Sequence, residues 1–223
     1  MISIEPIDMH LHLMPYSPCS YLTTEDFIKE IKPLELDVVA VTDHHTIEGA
    51  LELMSFNKFV VIAGVEVSTK YGDFLVFSND LEYLKSLNYS MTPGGICIPV
   101  DFEDLKSDKD TVVIWAHPIL SKHFETERHL LKEIDGFEVY NGAVMDAVYD
   151  EDCKLDASRI RRMYELGRKS NLVMTGGSDT HAPREYMKCW TEFAEPVRSQ
   201  ADFIRLLKEK RVRPRYNIGG LKG

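Results

Sequence analysis

With 223 residues, 44% of them hydrophobic and 28% charged, the chain can bury a sizeable core without staples, which excludes a disordered or low-complexity protein. Its formal charge of −10, from 26 Lys plus Arg against 36 Asp plus Glu, gives no global attraction to a phosphate backbone, so a small substrate is expected before long nucleic acid. Four scattered cysteines, an N-terminus without a signal-peptide pattern and no apolar run of membrane-spanning length lead to the expectation of a cytoplasmic chain with no membrane partner.

Residues 7–13 read as the first strand, with Asp8, His10 and His12 on one face and Ile7, Met9, Leu11 and Leu13 on the other. Residues 14–21 form a loop, after which Thr23 or Thr24 caps a helix with Glu25 and Asp26 at its positive end and Phe27, Ile28 and Ile31 on its apolar face. A buried strand over 36–41 ends in Thr42-Asp43-His44-His45. The pattern repeats with a helix over 47–56, an apolar strand over 59–65 closed by Glu66, a turn at 71–73 into a strand over 74–77, and a short helix over 81–87. Residues 88–110 carry a weaker signal, with a turn at 93–95, a small helix and Cys97 in the core.

The pattern resumes at 112–116, a strand ended by His117-Pro118. A helix over 126–133 and a strand over 136–140 carrying Glu138 follow. Asp156 can cap a helix over 155–170, and the next strand, 172–175, runs into Gly176-Gly177-Ser178-Asp179-Thr180-His181. A short strand over 190–193 and an amphipathic helix over 199–208 capped by Ser199 complete the series, and the basic run 208–215 reads as a solvated helix end and tail. Alternating strands and helices imply an α/β fold with a parallel sheet. Strand after strand ends in a potential metal ligand, and a closed or nearly closed barrel brings such ends to one mouth. No Gly-x-Gly-x-x-Gly follows any strand, which removes the usual support for a dinucleotide site.

Two imidazoles one pleat apart on a rigid strand are suited to zinc, manganese or iron. With Thr42-Asp43-His44, Gly64-Val65-Glu66, Ala116-His117-Pro118 and Ser178-Asp179-Thr180-His181 following in order, the chain resembles the polymerase and histidinol phosphatase (PHP) family of metal-dependent phosphoesterases. The resemblance implies a distorted (βα)7 barrel, one PHP domain over 1–223, with 182–223 as its C-terminal associated segment. It also implies two or three divalent ions: His10, His12, Glu66 and Asp179 around the first, Glu66 bridging to a second held by His117 and Glu138, and His44 with His181 at a third. The family usually places an acidic residue or a histidine in the loop after His-x-His; here that loop reads Tyr16-Ser17-Pro18-Cys19-Ser20. Cys19 can replace it as a soft thiolate ligand, favouring zinc or iron, or is merely buried.

The activity so implied is hydrolysis of a small phosphate ester (a nucleotide, nucleoside bisphosphate or histidinol-phosphate-like compound) by metal-bound hydroxide. His181, Asp179 and His44 are the candidates for moving protons, and Lys122, Arg184 and His123, with Lys70 behind them, for gripping the phosphate. The rivals are an exonuclease on short DNA or RNA ends, an amidohydrolase-like C–N hydrolase and a metal-stabilised binding domain. Asp8 is expected to orient a ligand histidine rather than to bind metal. His45 faces away, with a substrate or packing role, His129 is exposed, and Trp115 belongs to the core.

Overall fold

The computed structural model describes residues 4–88, 90, 91, 97–149 and 157–217. In chain order the elements are β1 (Glu5–Ile7), α1 (Thr24–Ile31), β2 (Val38–Val41), α2 (Glu48–Ser55), β3 (Val60–Thr69), β4 (Gly72–Ser78), α3 (Leu81–Ser86), β5 (Ser90–Met91), β6 (Cys97–Ile98) and β7 (Thr111–Trp115). They continue with α4 (His123–Thr126), β8 (Gly136–Asn141), α5 (Gly142–Tyr149), α6 (Ala157–Ser170), β9 (Val173–Gly177), β10 (Cys189–Phe193), α7 (Gln200–Lys208) and β11 (Val212–Tyr216). Three helices start on side-chain caps that satisfy otherwise orphaned N–H groups: Thr23 accepts from the Asp26 N–H, Asp80 from those of Glu82 and Tyr83, and Ser199 from that of Asp202. No described helix is long and apolar enough to cross a membrane.

A curled six-stranded sheet in the order β2-β3-β4-β7-β8-β9 carries the site. It is parallel except at β4, which runs antiparallel to both β3 and β7. This departs from the all-parallel expectation because only Lys70 and Tyr71 separate β3 from β4, far too few residues for a crossover, and Gly72 takes φ +120° to make the turn. The two edges of the sheet, β2 and β9, are joined by the extended stretch 8–13. The Leu11 carbonyl accepts from the Thr42 N–H, the His12 N–H donates to the Thr180 carbonyl, and the Thr180 N–H donates to the His10 carbonyl. This stretch is not continued as one strand from Ile7, because β1 turns away to pair with β10.

Along each sheet strand, apolar side chains alternate between two cores. Val39, Val41, Ala63, Val65, Val113, Trp115 and Phe137 join Phe27 of α1, Leu53 of α2 and Met163 of α6 on one side. Val38, Ala40, Ile62, Leu75, Phe77 and Ile114 join Phe203, Ile204, Leu206 and Leu207 of α7 on the other. Gln200 at the start of α7 bonds both the N–H and the carbonyl of Ala63. Ile62, Gly64 and Glu66 share this second face, so the strand leads from the α7 core into the polar cluster.

Two further expectations change. The helix over 126–133 is replaced by α4 and a 3-10 turn over Arg128–Lys132; consecutive Leu130 and Leu131 are both buried, a spacing that the tighter turn serves. The basic run is not a tail but β11, paired antiparallel with β10. Its charges hid a period of two, in which buried Pro214 lies between exposed Arg213 and half-buried Arg215, the latter paired with Glu192 at 2.7 Å. The turn at 93–95, the cap at Asp156 and the side chain of Cys97 lie outside the described residues.

Candidate metal centre

Three donor groups meet at the mouth of the sheet, each with its ligand atoms within 4.8 Å of one another: His10, Glu66 and His117; His10, His12 and Asp179; and His12, Cys19, His44 and His181. Glu66 is the hub. Its Oε2 lies 3.3 Å from His10 Nε2, 3.1 Å from His12 Nε2 and 3.1 Å from His44 Nδ1, and its Oε1 lies 2.9 Å from His117 Nε2. Asp179 Oδ1 stands 3.4 Å from His10 Nε2 and 3.3 Å from His12 Nε2. Glu66 does not close its strand as expected. β3 continues to Thr69, and a bridge between His44 and Glu66 sets the two side by side.

The supports fix which nitrogen of each ring faces inward. The Ser17 hydroxyl donates to Asp43 Oδ1 at 2.7 Å and accepts from the His44 N–H at 3.0 Å, so it meets His12 Nδ1, 3.1 Å away, as an acceptor. His12 therefore carries its proton on Nδ1 and turns the Nε2 lone pair to the cluster. His10 Nδ1 donates to Glu138 Oε1 at 3.1 Å, with the same result. The two Nε2 atoms then face each other across 3.0 Å with no proton between them in these tautomers. His44 Nδ1, though close to Glu66, is buried without an aligned hydrogen bond. Lone pairs pressed together around carboxylates in a buried site fit a divalent cation.

Without an ion, the same carboxylates favour an added proton on some of these rings, which a cation would displace. Burial pushes the pKa of His10 down, but Asp179, Glu138 and Glu66 outweigh it and hold it well above the ordinary value. Burial likewise opposes ionisation of Glu66, yet the imidazoles of His10, His117 and His12 keep its pKa well below the carboxylate range. Burial moves His117 down and Glu66 more than reverses this, raising it to about 9, whereas burial takes His44 to about 4.

Glu138, expected as a ligand, belongs to none of the three groups. Its Oε2 accepts from the His117 N–H at 2.8 Å and from Asn141 Nδ2 at 3.2 Å while Oε1 holds His10. It orients two donors, and Gly177 makes the room, since a Cβ there would lie 2.6 Å from both Glu138 Oε1 and the His10 Cβ. Cys19 is not merely buried: Sγ is 3.1 Å from His181 Nε2 on the exposed side. Asp8 holds backbone rather than an imidazole, accepting from the N–H groups of His10, Ser178 and Met187. His45 has a packing role, with Nδ1 on the Leu87 carbonyl and Nε2 on the Ser68 N–H.

None of the phosphate-gripping candidates belongs to the three donor groups. Lys122 and Arg184 are exposed. His123 meets Tyr71 edge-on at 5.9 Å, and Lys70 lies over Tyr71 and 3.7 Å from Glu103. Sequence reasoning missed Ser17, Ser20 and Asn141. Ser20 bonds the carbonyls of His12 and His181, and Asn141 joins Glu138 to Asp179. The only signal was their place beside ligand motifs.

Residues 159–212 match the family model described as PHP-associated. A two-domain protein from Bacteroides vulgatus, containing a predicted PHP-like metal-dependent phosphoesterase, superposes with a TM-score of 0.69 at 17% identity over 96% of this chain. This chain spans 65% of that protein's length. The chain has the fold of this PHP-like structure. PsfC from Pseudomonas syringae shares this fold at a TM-score of 0.64 and 18% identity, covering 97% of this chain and 93% of its own. An amidohydrolase from Chromobacterium violaceum, with bound sulfate and no metal, does so at 0.61 and 17%, covering 93% and 97%. No curated protein matches in sequence. The donor groups of this chain, Cys19 of the loop after residues 8–13 apart, lie where residues 8–13, β2, β3, β7 and β9 end or meet.

Proposed function

We propose that this PHP-type chain is a metal-dependent phosphoesterase acting on a small phosphate ester such as a nucleotide, a nucleoside bisphosphate or a histidinol-phosphate-like compound. One observation carries the reading: a single buried carboxylate, Glu66, has both oxygens directed at four imidazoles from three separate stretches of chain. His10, His12, Glu66, Asp179 and His117 would hold two ions, with Glu66 common to both, and Cys19, His44 and His181 would hold a third. Zinc, manganese and iron suit the nitrogen and oxygen donors, and the thiol favours zinc or iron at the third position. When bound, such ions lower the pKa of water and take up charge on phosphoryl oxygens.

The chain's own residues do the rest. Ser17 and Glu138 hold His12 and His10 in the tautomer that presents Nε2. Asp179, His44 and His181 have side chains 13, 22 and 29% exposed, while His10 and His12 are fully buried. A proton leaving water or reaching the departing oxygen therefore passes them, and we assign its transfer to these three. Lys122, His123 and Arg184 are assigned to the substrate's phosphate from the surrounding loops.

A C–N hydrolase reading draws on the amidohydrolase neighbour, but Glu66 occupies the hub where a carbamylated lysine would be needed. An exonuclease on short ends is separated by salt dependence. The test is a panel of phosphomonoesters, bisphosphates, short oligonucleotides and amides, with metal content measured on the same preparation. Release of phosphate from a small ester in proportion to bound metal is expected. Cleavage of amides alone, or no gain of phosphatase activity on metal loading, would overturn the proposal.

A further inference from the structure

A cavity of about 450 Å³ is lined by residues of β8, α5, α6 and β11. Asn141 turns to Glu138 and Asp179, while its neighbour Tyr140 joins the cavity lining. There its ring lies 4.4 Å from that of Tyr216 and 6.1 Å from that of Tyr164, giving the cavity an aromatic wall. Arg161 and Arg168 line the same cavity. Seven residues apart, they stand two turns from each other on one face of α6. Among the described residues neither has an ion-pair or hydrogen-bond partner, although Glu165 lies between them in sequence and lines the same cavity. Two guanidiniums against one carboxylate leave this lining with a net positive charge.

We infer that this cavity binds a nucleotide, the aromatic wall taking the base and Arg161 with Arg168 taking the phosphate. The volume falls within the range of small-ligand pockets. Tyrosine faces accept a flat ring by stacking, and guanidinium forks match phosphate oxygens bidentately. Lone phosphate would leave the aromatic wall unused, and a purely apolar ligand would leave two cations unmatched. The site is distinct from the proposed catalytic mouth, because none of its lining residues belongs to the three donor groups.

The test is isothermal titration of the metal-loaded full chain with the phosphonate analogue of AMP, which a phosphoesterase cannot cleave, and with inorganic phosphate. The analogue is expected to bind more tightly than phosphate. Arg161→Ala with Arg168→Ala should weaken it by at least about tenfold, the factor for one lost charge-assisted hydrogen bond, and Tyr216→Leu should weaken the analogue but not phosphate. Arg128→Ala, on the other flank of α6, should leave binding unchanged. Glu66→Gln, which disables the proposed catalytic centre, should remove only binding at that centre and leave the component that depends on Arg161 and Arg168 unchanged, so this inference and the proposed function can fail separately. No binding at millimolar analogue, equal affinity for phosphate, equal weakening by Arg128→Ala, or loss of the Arg161- and Arg168-dependent component in Glu66→Gln would each overturn it.

Discussion

Replacing Glu138 with Gln tests how the donors are oriented. The carboxylate accepts from three donors: His10 Nδ1 at 3.1 Å, the His117 N–H at 2.8 Å and Asn141 Nδ2 at 3.2 Å. Gln offers one acceptor oxygen and one NH2 group. With its oxygen toward His117 and Asn141, the NH2 faces His10 Nδ1 and drives the imidazole proton to Nε2, where it blocks the lone pair the cluster needs. With the oxygen toward His10, the NH2 meets two donors instead, leaving buried N–H groups unsatisfied at about 1–3 kcal/mol each. Either arrangement should lower metal affinity by about 10- to 100-fold, the range for groups that support a ligand from behind. Chelator competition monitored by elemental analysis, with circular dichroism to check folding, measures this. A folded variant with unchanged affinity would refute the orienting role, and complete loss of one equivalent would show Glu138 to be a ligand after all.

Glu66→Gln should leave a folded protein with less metal and activity on phosphate esters reduced by about 10³ or more, comparable to removing other transition-state electrostatics; retained activity in the panel assay would reject the hub. Cobalt-loaded wild type should show sulfur-to-cobalt charge-transfer absorption that Cys19→Ser removes without altering the metal held by Glu66. Loading at pH 7 should release a proton from His117, whose pKa of about 9 in the metal-free chain makes it compete with the ion, so apparent affinity should rise by up to about tenfold per pH unit until that value is passed. Titrations in buffers of different ionisation enthalpy detect the proton; His44, at about 4, contributes none. Asp8→Asn gives up one of the three backbone bonds the carboxylate accepts, and should cost about 1–3 kcal/mol in denaturant unfolding.

His10, His12, His44, Glu66, His117, Asp179 and His181 could be singled out as candidate donors because each sits in a short motif at or near the end of an apolar run, and alternation placed His10 and His12 on a common face. What sequence could not give was relations across the chain. Glu138 reads as one more acid at a strand end until His10, His117 and Asn141 are seen around it. Ser17 is an ordinary loop serine until its hydroxyl is found shared by His12, His44 and Asp43. The direction of β4 was hidden because its apolar content is the same whichever way it runs. β11 was hidden because four basic residues between Lys208 and Arg213 masked its alternation.

The stretch 8–13 that joins β2 to β9 has a consequence for how the protein is made. Its ligand histidines are translated first, but the contact that fixes them, Asp8 Oδ1 accepting from the Ser178 N–H, spans 170 residues. Such long-range closure is slow because much loop entropy must be lost before the contact repays it. On the ribosome, His10 and His12 therefore wait, unclasped, until β9 has emerged, and the centre is assembled only as the last sheet strand docks.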